Sequence, residues 1–218
     1  RQALYALSAL PEAIMKLYDG GRFPNPRRVR VFIAEKGIAM PPLQQVDLAA
    51  LEHKSEAFTA LNPLQRIPVL ELDDGTIISE SVAICRYFEE IYPEPPLFGV
   101  GATGKAIVEM WHRRIELGLY ASITAAFRHG HPGMAGHEVP QVAEWAEVNR
   151  GRVEKHLRLL DNQLSRHSFV TGDTYTIADI TAMIAVDFMR LPKLTVPDDC
   201  VHLKRWHGDV ASRPASKA

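Results

Sequence analysis

The chain has 218 residues, of which 46% are hydrophobic, and a formal net charge of −1 at pH 7. This length and apolar content allow one large domain or two modest ones, each with a real core. Binding to a phosphate backbone needs a basic excess, so the charge argues against nucleic acid as the main partner. We therefore expect the cluster Arg27-Arg28-Val29-Arg30 to be a solvated helix face rather than a polyanion site.

The two cysteines, Cys85 and Cys200, are far apart, and the chain contains no CxxC pair. Dithiol exchange through a vicinal pair is thus excluded, and two free thiols indicate a reducing compartment. No apolar run approaches the length of a membrane span. We therefore expect a cytoplasmic protein without membrane contact. Residues 1–14 make a poor secretory signal and are left unassigned as an N-terminal extension.

A strand is predicted over residues 15–18, followed by an Asp-Gly-Gly turn and a helix. Asn25 is the predicted N-cap of that helix, and Pro26 suits its first position. Gly37 is typical of a helix C-terminus and closes it. The beginning of the chain therefore predicts a β-strand that leads directly into an α-helix.

Further strands and helices follow this helix. Residues 43–47 form a second strand candidate, and a short polar helix is predicted near residues 51–60. Residues 68–72 and 76–79 are predicted strands joined by an Asp-Asp-Gly hairpin turn. A helix over residues 81–92 then ends at a proline-rich stretch. This alternation predicts an α+β domain.

The second half contains only helical patterns. The predicted organisation is an N-terminal domain of residues 15–92, a linker of residues 93–104 and an all-α domain of residues 105–218. Apolar residues recur there at helical spacing. The predicted helices span residues 105–127, 142–165, 176–189 and 203–210.

Two short motifs suit the binding of an extended peptide. Pro68 cannot donate to a strand ladder, so it belongs at a strand start, where the main chain of Ile67 could pair with a peptide by strand addition. Ser79-Glu80-Ser81 lies where a strand meets a helix. Its serine and the free N–H groups of the helix suit a carboxylate, and Glu80 suits an amino group. Taken alone, an ordinary turn proline and a simple helix cap remain alternative explanations.

Residues 61–70 (LNPLQRIPVL), Asp74-Gly75 and residues 79–84 (SESVAI) resemble the glutathione-site signature of the cytosolic glutathione transferase superfamily. In the second half, residues 172–180 (GDTYTIADI) resemble the capping-box segment of the same family. The resemblance implies a thioredoxin-like domain with a mixed four-stranded sheet, followed by an all-α domain. It also implies a homodimer that uses glutathione as co-substrate and needs no metal.

The resemblance implies a role for individual residues at the glutathione site. Ile67, with Pro68, would bind the cysteinyl main chain of the tripeptide. Glu80 and Ser81 would bind its γ-glutamyl end. His53 and Lys54 would meet the glycyl carboxylate. Gln65 is a further candidate contact.

The group that activates the glutathione thiol is missing from its usual place. The thiolate is the nucleophile, and most members of the family stabilise it with a Tyr, Ser or Cys after the first strand. The matching position here is Phe23-Pro24, and no hydroxyl or thiol side chain lies between Gly20 and Arg30. This departure from the family pattern leaves the catalytic residue open.

Two candidates for this role remain. Asn25 lies at the predicted helix start, where free N–H groups and the helix dipole favour an anion, although it could simply be a cap. The predicted loop that contains His129, within residues 127–133 (FRHGHPG), resembles an atypical fungal and bacterial type. That type lacks the usual residue and uses a histidine with a bound water.

Phe23, Tyr120 and Phe127 are the candidates for an electrophile pocket, although each could equally be a core residue. The predicted function is conjugation of glutathione to small hydrophobic electrophiles, with a role in detoxification. Glutathione-dependent reduction of disulfides or peroxides is the alternative enzyme activity. A non-enzymatic glutathione-binding scaffold or regulator is the alternative from another class, because a fold alone does not determine function.

Overall fold

The computed structural model describes residues 15–218, so the predicted extension, residues 1–14, lies outside the described residues. The N-terminal part combines a four-stranded sheet, in the order β2-β1-β3-β4, with α-helices. Its elements are β1 (Lys16–Asp19), α1 (Pro24–Glu35), β2 (Leu43–Gln45), a 3-10 turn (Glu52–Lys54), α2 (Glu56–Leu61), β3 (Val69–Glu71), β4 (Ile77–Ser79) and α3 (Ser81–Ile91).

The sheet is mixed. β1 runs parallel to β2 and antiparallel to β3, and β3 runs antiparallel to β4. The predicted thioredoxin-like domain with a mixed four-stranded sheet is therefore confirmed. Gly37 follows α1 with a φ of +65°, a left-handed conformation that glycine adopts without steric cost, and this matches its predicted role at the end of the helix.

The second half is helical, as predicted. The long helix predicted for residues 105–127 begins earlier, at Gly101, and continues to Gly130 through a π-helical segment, so the end of the predicted linker is helical. No helix within residues 15–218 combines the length and the apolar character needed to cross a bilayer. The elements are α4 (Gly101–Arg113), the π-helical segment (Arg114–Tyr120), α5 (Ala121–Gly130), a 3-10 turn (Pro132–Met134), α6 (Ala143–Leu164), α7 (Ile177–Phe188), α8 (Val201–Ala211) and a 3-10 turn (Pro214–Lys217).

One hydrophobic core continues from the first half of the chain into the second. Helix α1 lies between them, because it packs against both α3 and α7. Its apolar residues Val29, Phe32 and Ile33 recur at helical spacing and are fully buried. This packing holds the start of α1, and any site built there, against the helical half.

The start of α1 differs from the prediction. The helix begins at Pro24, with Phe23 as an N-cap residue in extended conformation and Asn25 in the first turn. The predicted N-cap at Asn25 is therefore wrong. A residue before proline is driven towards extended conformation, which suits Phe23, and a proline fits the first turn at either Pro24 or Pro26.

The predicted solvated face of Arg27-Arg28-Val29-Arg30 is also wrong. Arg28 is 1% exposed, and the other two arginines are partly buried in ion pairs. Arg27 contacts Asp187 of α7 at 2.6 Å, and Arg30 pairs with Asp19 at the end of β1. Buried guanidinium groups are tolerated only when they are paired, and these carboxylates become neighbours only in the fold.

Candidate functional site

The register of the sheet brings the predicted binding motifs to one edge. Val69 of β3 lies opposite Ser79 of β4, so Ile67-Pro68, which precede β3, lie beside Glu80-Ser81, which follow β4. Val69 also pairs with Tyr18 of β1, one residue before that strand ends. The start of β3 and the ends of β1 and β4 therefore meet at the same edge.

Ile67 presents main-chain groups at this edge. The Ile67-Pro68 peptide bond is cis. Among residues 15–218, neither the N–H nor the carbonyl of Ile67 makes a backbone hydrogen bond outside regular elements. Its side chain packs against the turn after β1, because a methyl group added to Gly20 would overlap the tip of Ile67. The two main-chain groups are thus free to pair with an extended ligand.

A cavity of about 500 Å³ opens next to Gly20, the residue at which an added methyl group would overlap Ile67. It lies between the turn after β1 and the segment after β2. The added methyl group at Gly20 would also come within 3.2 Å of Leu48 and Phe23, so glycine keeps this wall open. The lining residues are Gly20, Phe23, Gln45, Val46, Asp47, Leu48, Ala49 and Glu52.

Glu80 and Ser81 form the start of α3. Glu80 has a φ of +72°, a conformation that costs a non-glycine residue energy and is found preferentially at functional sites. Its side chain is exposed, whereas Ser81 is buried. The Ser81 hydroxyl oxygen accepts a hydrogen bond of 2.9 Å from the buried guanidinium of Arg28.

His53 and Lys54, the predicted contacts for the glycyl end, directly follow Glu52, which lines the cavity. His53 and Lys54 belong to the 3-10 turn after β2. Nδ1 of His53 is buried and has no hydrogen-bond partner among residues 15–218. Burial lowers the pKa of His53, and the nearby charges of Lys54 and His137 lower it further. His137 lies between α5 and α6, so a segment of the helical half comes close to this turn. Gln65 has a φ of +54° and donates to the Thr59 hydroxyl.

The N-terminus of α1 offers a single main-chain donor. Pro24 and Pro26 have no N–H, and the N–H of Arg27 donates to the carbonyl of Phe23. This leaves the N–H of Asn25. The Asn25 side-chain oxygen accepts a hydrogen bond of 3.3 Å from the Tyr120 hydroxyl, which directs the donor end of its amide away from Tyr120. No acidic side chain lies in this first turn, so both donors favour an anion.

Aromatic side chains extend from Asn25 along the helical half. The Tyr120 ring lies 6.1 Å from the ring of Phe188, and Phe188 lies 5.4 Å from Phe127. Phe127 in turn lies 5.1 Å from the imidazole of His131. Two of the predicted pocket residues therefore share a neighbour, Phe188, which sequence reasoning missed.

Phe23 stands apart from these aromatic residues. It is exposed and lines the cavity beside Gly20. The third predicted pocket residue therefore lies at the start of α1, in the wall of the cavity.

The two histidines near the end of α5 have different contacts. His129 lies in the last turn of α5 rather than in the predicted loop. Its Nδ1 accepts from the N–H of Val142, and its Nε2 lies 3.7 Å from the Glu138 carboxylate. His131 follows the helix, and its Nδ1 accepts from the N–H of Gly133. Within residues 15–218, no hydrogen bond is made to Nε2 of His131.

Comparisons with known proteins identify the family of the chain. Residues 24–91 match the model of the glutathione S-transferase N-terminal domain, and residues 119–214 match that of the C-terminal domain. The chain is 34% identical over 205 residues to glutathione S-transferase 2 of Saccharomyces cerevisiae, an alignment that covers 93% of this chain and 88% of that protein. The chain belongs to the glutathione S-transferase superfamily.

Solved structures show the same similarity. The crystal structure of a glutathione S-transferase domain-containing protein from Marinobacter aquaeolei matches with a TM-score of 0.89 at 35% identity, covering 92% of this chain and 99% of the other. That of Gtt2 from Saccharomyces cerevisiae matches with a TM-score of 0.87 at 34% identity, covering 93% and 98%. The protein is therefore a glutathione transferase, with the N-terminal and C-terminal domains of this superfamily.

The fold of this transferase brings some of the sequence-derived residues together from distant segments. Ile67-Pro68 and Glu80-Ser81 meet at one sheet edge, and Tyr120 of the helical half contacts Asn25 of α1. Arg28 and His131 were not singled out as site residues. The sequence suggested that Arg28 is a surface residue. His131 differs from His129 in contacts that only the fold creates. Within residues 15–218, no group of three or more His, Cys, Asp or Glu side chains is arranged to hold a metal ion.

Proposed function

We propose that this transferase conjugates reduced glutathione to small hydrophobic electrophiles, with the tripeptide bound along the sheet edge. The observation that carries the proposal is the pairing of Val69 with Ser79. It sets the free main chain of Ile67 next to the Glu80-Ser81 helix start. A single extended tripeptide can therefore contact both motifs.

In this arrangement the cysteinyl main chain of glutathione pairs with Ile67 by strand addition. The γ-glutamyl carboxylate lies at the N-terminus of α3, beside Ser81, and its amino group lies beside Glu80. The glycyl carboxylate extends towards Lys54. Opposite charges thus meet at both ends of the ligand.

The remaining predicted contacts belong to the same proposal. His53 borders the glycyl end, and burial with the nearby charges of Lys54 and His137 lowers the pKa of its imidazole. Its Nδ1 has no hydrogen-bond partner among the described residues, so we expect it to contribute a hydrogen bond. Gln65 lies two residues before Ile67, and Pro68 fixes the main chain that follows. These three residues shape the binding site around the tripeptide.

The glutathione sulfur lies at the start of α1, where Asn25 stabilises the thiolate. Its main-chain N–H and its side-chain amide are both donors, and the helix dipole adds a favourable potential. A reference thiol has a pKa near 8.5, so about half-ionisation at pH 7 needs a shift of about 1.5 units, or roughly 2 kcal/mol. Hydrogen bonds to a charged acceptor can supply this amount.

A histidine near the end of α5 assists through a bound water. His129 was the candidate from the resemblance, but both of its ring nitrogens face groups of the segment that follows α5. His131 has its Nδ1 occupied by a donor, which places its ring proton on Nε2 in the neutral form. We therefore propose that His131 faces the water and that His129 fixes the segment that carries it.

The electrophile binds between Phe23 and the aromatic residues of the helical half. Tyr120 and Phe127 lie two helical turns apart, about 10 Å along the axis, with Phe188 against both. Aromatic walls favour flat hydrophobic molecules. A small aromatic electrophile therefore suits this surface better than a charged one.

We also propose that the transferase acts as a homodimer in the cytoplasm, with a role in detoxification. Support for the dimer comes from apolar side chains that stay exposed along α4 and the π-helical segment, namely Ile107, Met110 and Leu117. Exposed apolar patches mark protein interfaces. Light scattering after gel filtration measures the mass, and a monomer at micromolar concentration would contradict the dimer.

The test of the proposed function combines binding with turnover. Calorimetry should show saturable binding of reduced glutathione, and chlorodinitrobenzene should be conjugated. Glu80→Gln removes the charge that faces the amino group, so we expect about a tenfold rise in Kd. Glu90→Gln, at the exposed far end of the same helix, is the matched control and should leave Kd unchanged.

The other outcomes would contradict the proposed function in different ways. Absence of glutathione binding at millimolar concentration would refute the proposal. Binding without conjugation would favour a scaffold. Faster turnover of a peroxide or of a glutathione mixed disulfide than of any aromatic electrophile would favour the reductase alternative.

A further inference from the structure

Arg28 is a buried charge beside the proposed glutathione site. Its side chain is only 2% exposed. Nη1 donates to the Ser81 hydroxyl oxygen and to Oε1 of Glu116, both at 2.9 Å. Ser81 belongs to the thioredoxin-like domain and Glu116 to the helical domain, so one side chain joins the two.

The bond from Arg28 fixes the role of the Ser81 hydroxyl. A serine hydroxyl has one hydrogen to donate, and an arginine can only donate. Because Ser81 accepts from Arg28, its own hydrogen remains available to another acceptor. Ser81 lies at the start of α3, where the helix N-terminus already favours a carboxylate. A carboxylate oxygen there would receive the Ser81 hydrogen.

Two donors of Arg28 have no partner. Nε and Nη2 are buried and make no hydrogen bond with any residue that the structure describes. Unpartnered buried donors are costly unless something compensates them. The carboxylate that faces Arg28, Glu116, lies in the other domain and is only partly buried. The guanidinium therefore keeps hydrogen-bond donors that its ion pair with Glu116 does not use.

Arg28 also contacts the wall of the sulfur site. Its guanidinium carbon lies 5.4 Å from the centre of the Tyr120 ring, close enough for a cation–π interaction. Tyr120 in turn donates to Asn25. One buried side chain thus touches the residue proposed for the γ-glutamyl end and the residue that orients the proposed thiolate donor.

We propose that Arg28 is a positioning residue that makes Ser81 a hydrogen-bond donor to the γ-glutamyl α-carboxylate of glutathione. This inference rests on the proposed function, since it assumes that glutathione binds at the Glu80-Ser81 helix start. Arg28 thereby contributes to the recognition of one carboxylate through Ser81, from a position that does not touch the ligand.

The test compares two ligands and four proteins. The ligands are glutathione and γ-aminobutyryl-cysteinyl-glycine, which is glutathione without the γ-glutamyl α-carboxylate. The proteins are the wild type, Arg28→Met, Ser81→Ala and the double variant. We expect each single variant to raise the Kd for glutathione about tenfold and the double variant to raise it no further. The Kd for the truncated ligand should change less than twofold in every variant.

Arg27→Met is the matched control. Arg27 neighbours Arg28 on α1 but contacts Asp187 and the carbonyl of Ser216, so its loss should leave both Kd values unchanged. Arg28→Lys keeps the charge without the planar fork. If Arg28→Met does not fold by circular dichroism, Arg28→Lys provides the test, with a rise of about threefold for glutathione alone.

The outcomes separate the two proposals. Equal losses for both ligands, or multiplying losses in the double variant, would overturn the role of Arg28 while glutathione binding by the wild type stands. A wild-type Kd for glutathione in a folded Arg28 variant would overturn it as well. If the wild type binds neither ligand, the proposed function itself fails.

Discussion

The indole N–H of Trp206 donates a hydrogen bond of 3.0 Å to the carboxylate of Asp179. Asp179 is fully buried and also accepts from the N–H groups of Thr176 and Val170. The capping box predicted at the start of α7 is therefore present, and α8 is attached to it through Trp206. A buried carboxylate is stable only while such donors surround it.

We predict that Trp206→Phe destabilises the protein by about 1–3 kcal/mol, because it leaves a buried acceptor one donor short. Burial already raises the pKa of Asp179 to about 6, so little further loss of donors is tolerated. Trp145→Phe is the control, since Trp145 is exposed, and it should change stability by less than about 0.5 kcal/mol. Urea unfolding at pH 7 gives both values, and equal effects would contradict the argument.

The capping box and Trp206 show what the sequence can predict here. A capping box has a fixed spacing of three residues, so Thr176 and Asp179 identify it locally. The contact with Trp206 spans 27 residues and depends on how α8 packs. The same holds for Arg28, whose neighbours on the chain suggest a surface and whose partner, Glu116, lies 88 residues away.

The start of α1 and the two histidines near the end of α5 show a second limit. Pro24 and Pro26 both suit a first turn, so local propensity could not decide where the helix begins. His129 and His131 have the same chemistry, and only their contacts distinguish them. Periodicity and turn residues predicted the elements, whereas the proposed activation of the sulfur involves contacts between distant segments.

We predict that Gly20→Ala weakens glutathione binding. The added methyl group would overlap the tip of Ile67 and push that residue away from the position in which its main chain pairs with the ligand. A rise in Kd of about fivefold to tenfold is expected, that is, roughly 1–1.4 kcal/mol. Gly151→Ala is the control, because nothing lies within 4 Å of its added methyl group. It should leave Kd unchanged and stabilise α6 slightly. The same Kd for both variants in calorimetry would show that Ile67 does not position glutathione.

The two histidines should differ in kinetics. His131→Ala removes the proposed contact to water, so we expect kcat to fall about tenfold to a hundredfold with little change in glutathione Kd. His129→Ala should lower turnover less, through loosening of the segment that Val142 and Glu138 anchor. Steady-state assays with chlorodinitrobenzene measure kcat, and calorimetry measures Kd. A larger fall for His129→Ala would assign the water to His129, and unchanged kcat in both variants would remove both histidines from the mechanism.

The stability of the protein below neutral pH depends on His112. This residue is buried in α4, and its Nε2 lies 3.0 Å from the hydroxyl of Thr181 in α7. Burial lowers its pKa to about 4. Between the unfolded pKa, about 6.5, and this value, the unfolded chain binds a proton that the folded chain does not. Stability from His112 is therefore complete above pH 6.5 and is lost as the pH falls towards 4.

We predict that His112→Gln reduces this loss. From pH 7 to pH 5, protonation of His112 in the unfolded chain should lower the free energy of unfolding of the wild type by about 2 kcal/mol. The variant should not show this loss. Asp179 acts in the opposite direction, because its raised pKa of about 6 means that the folded chain holds the extra proton, and it does so equally in both proteins. The difference between wild type and variant therefore isolates His112. Urea unfolding at both pH values measures it, with His137→Gln, an exposed histidine, as control. If wild type and His112→Gln lose the same free energy of unfolding, His112 is protonated in the folded protein and its burial does not govern acid stability.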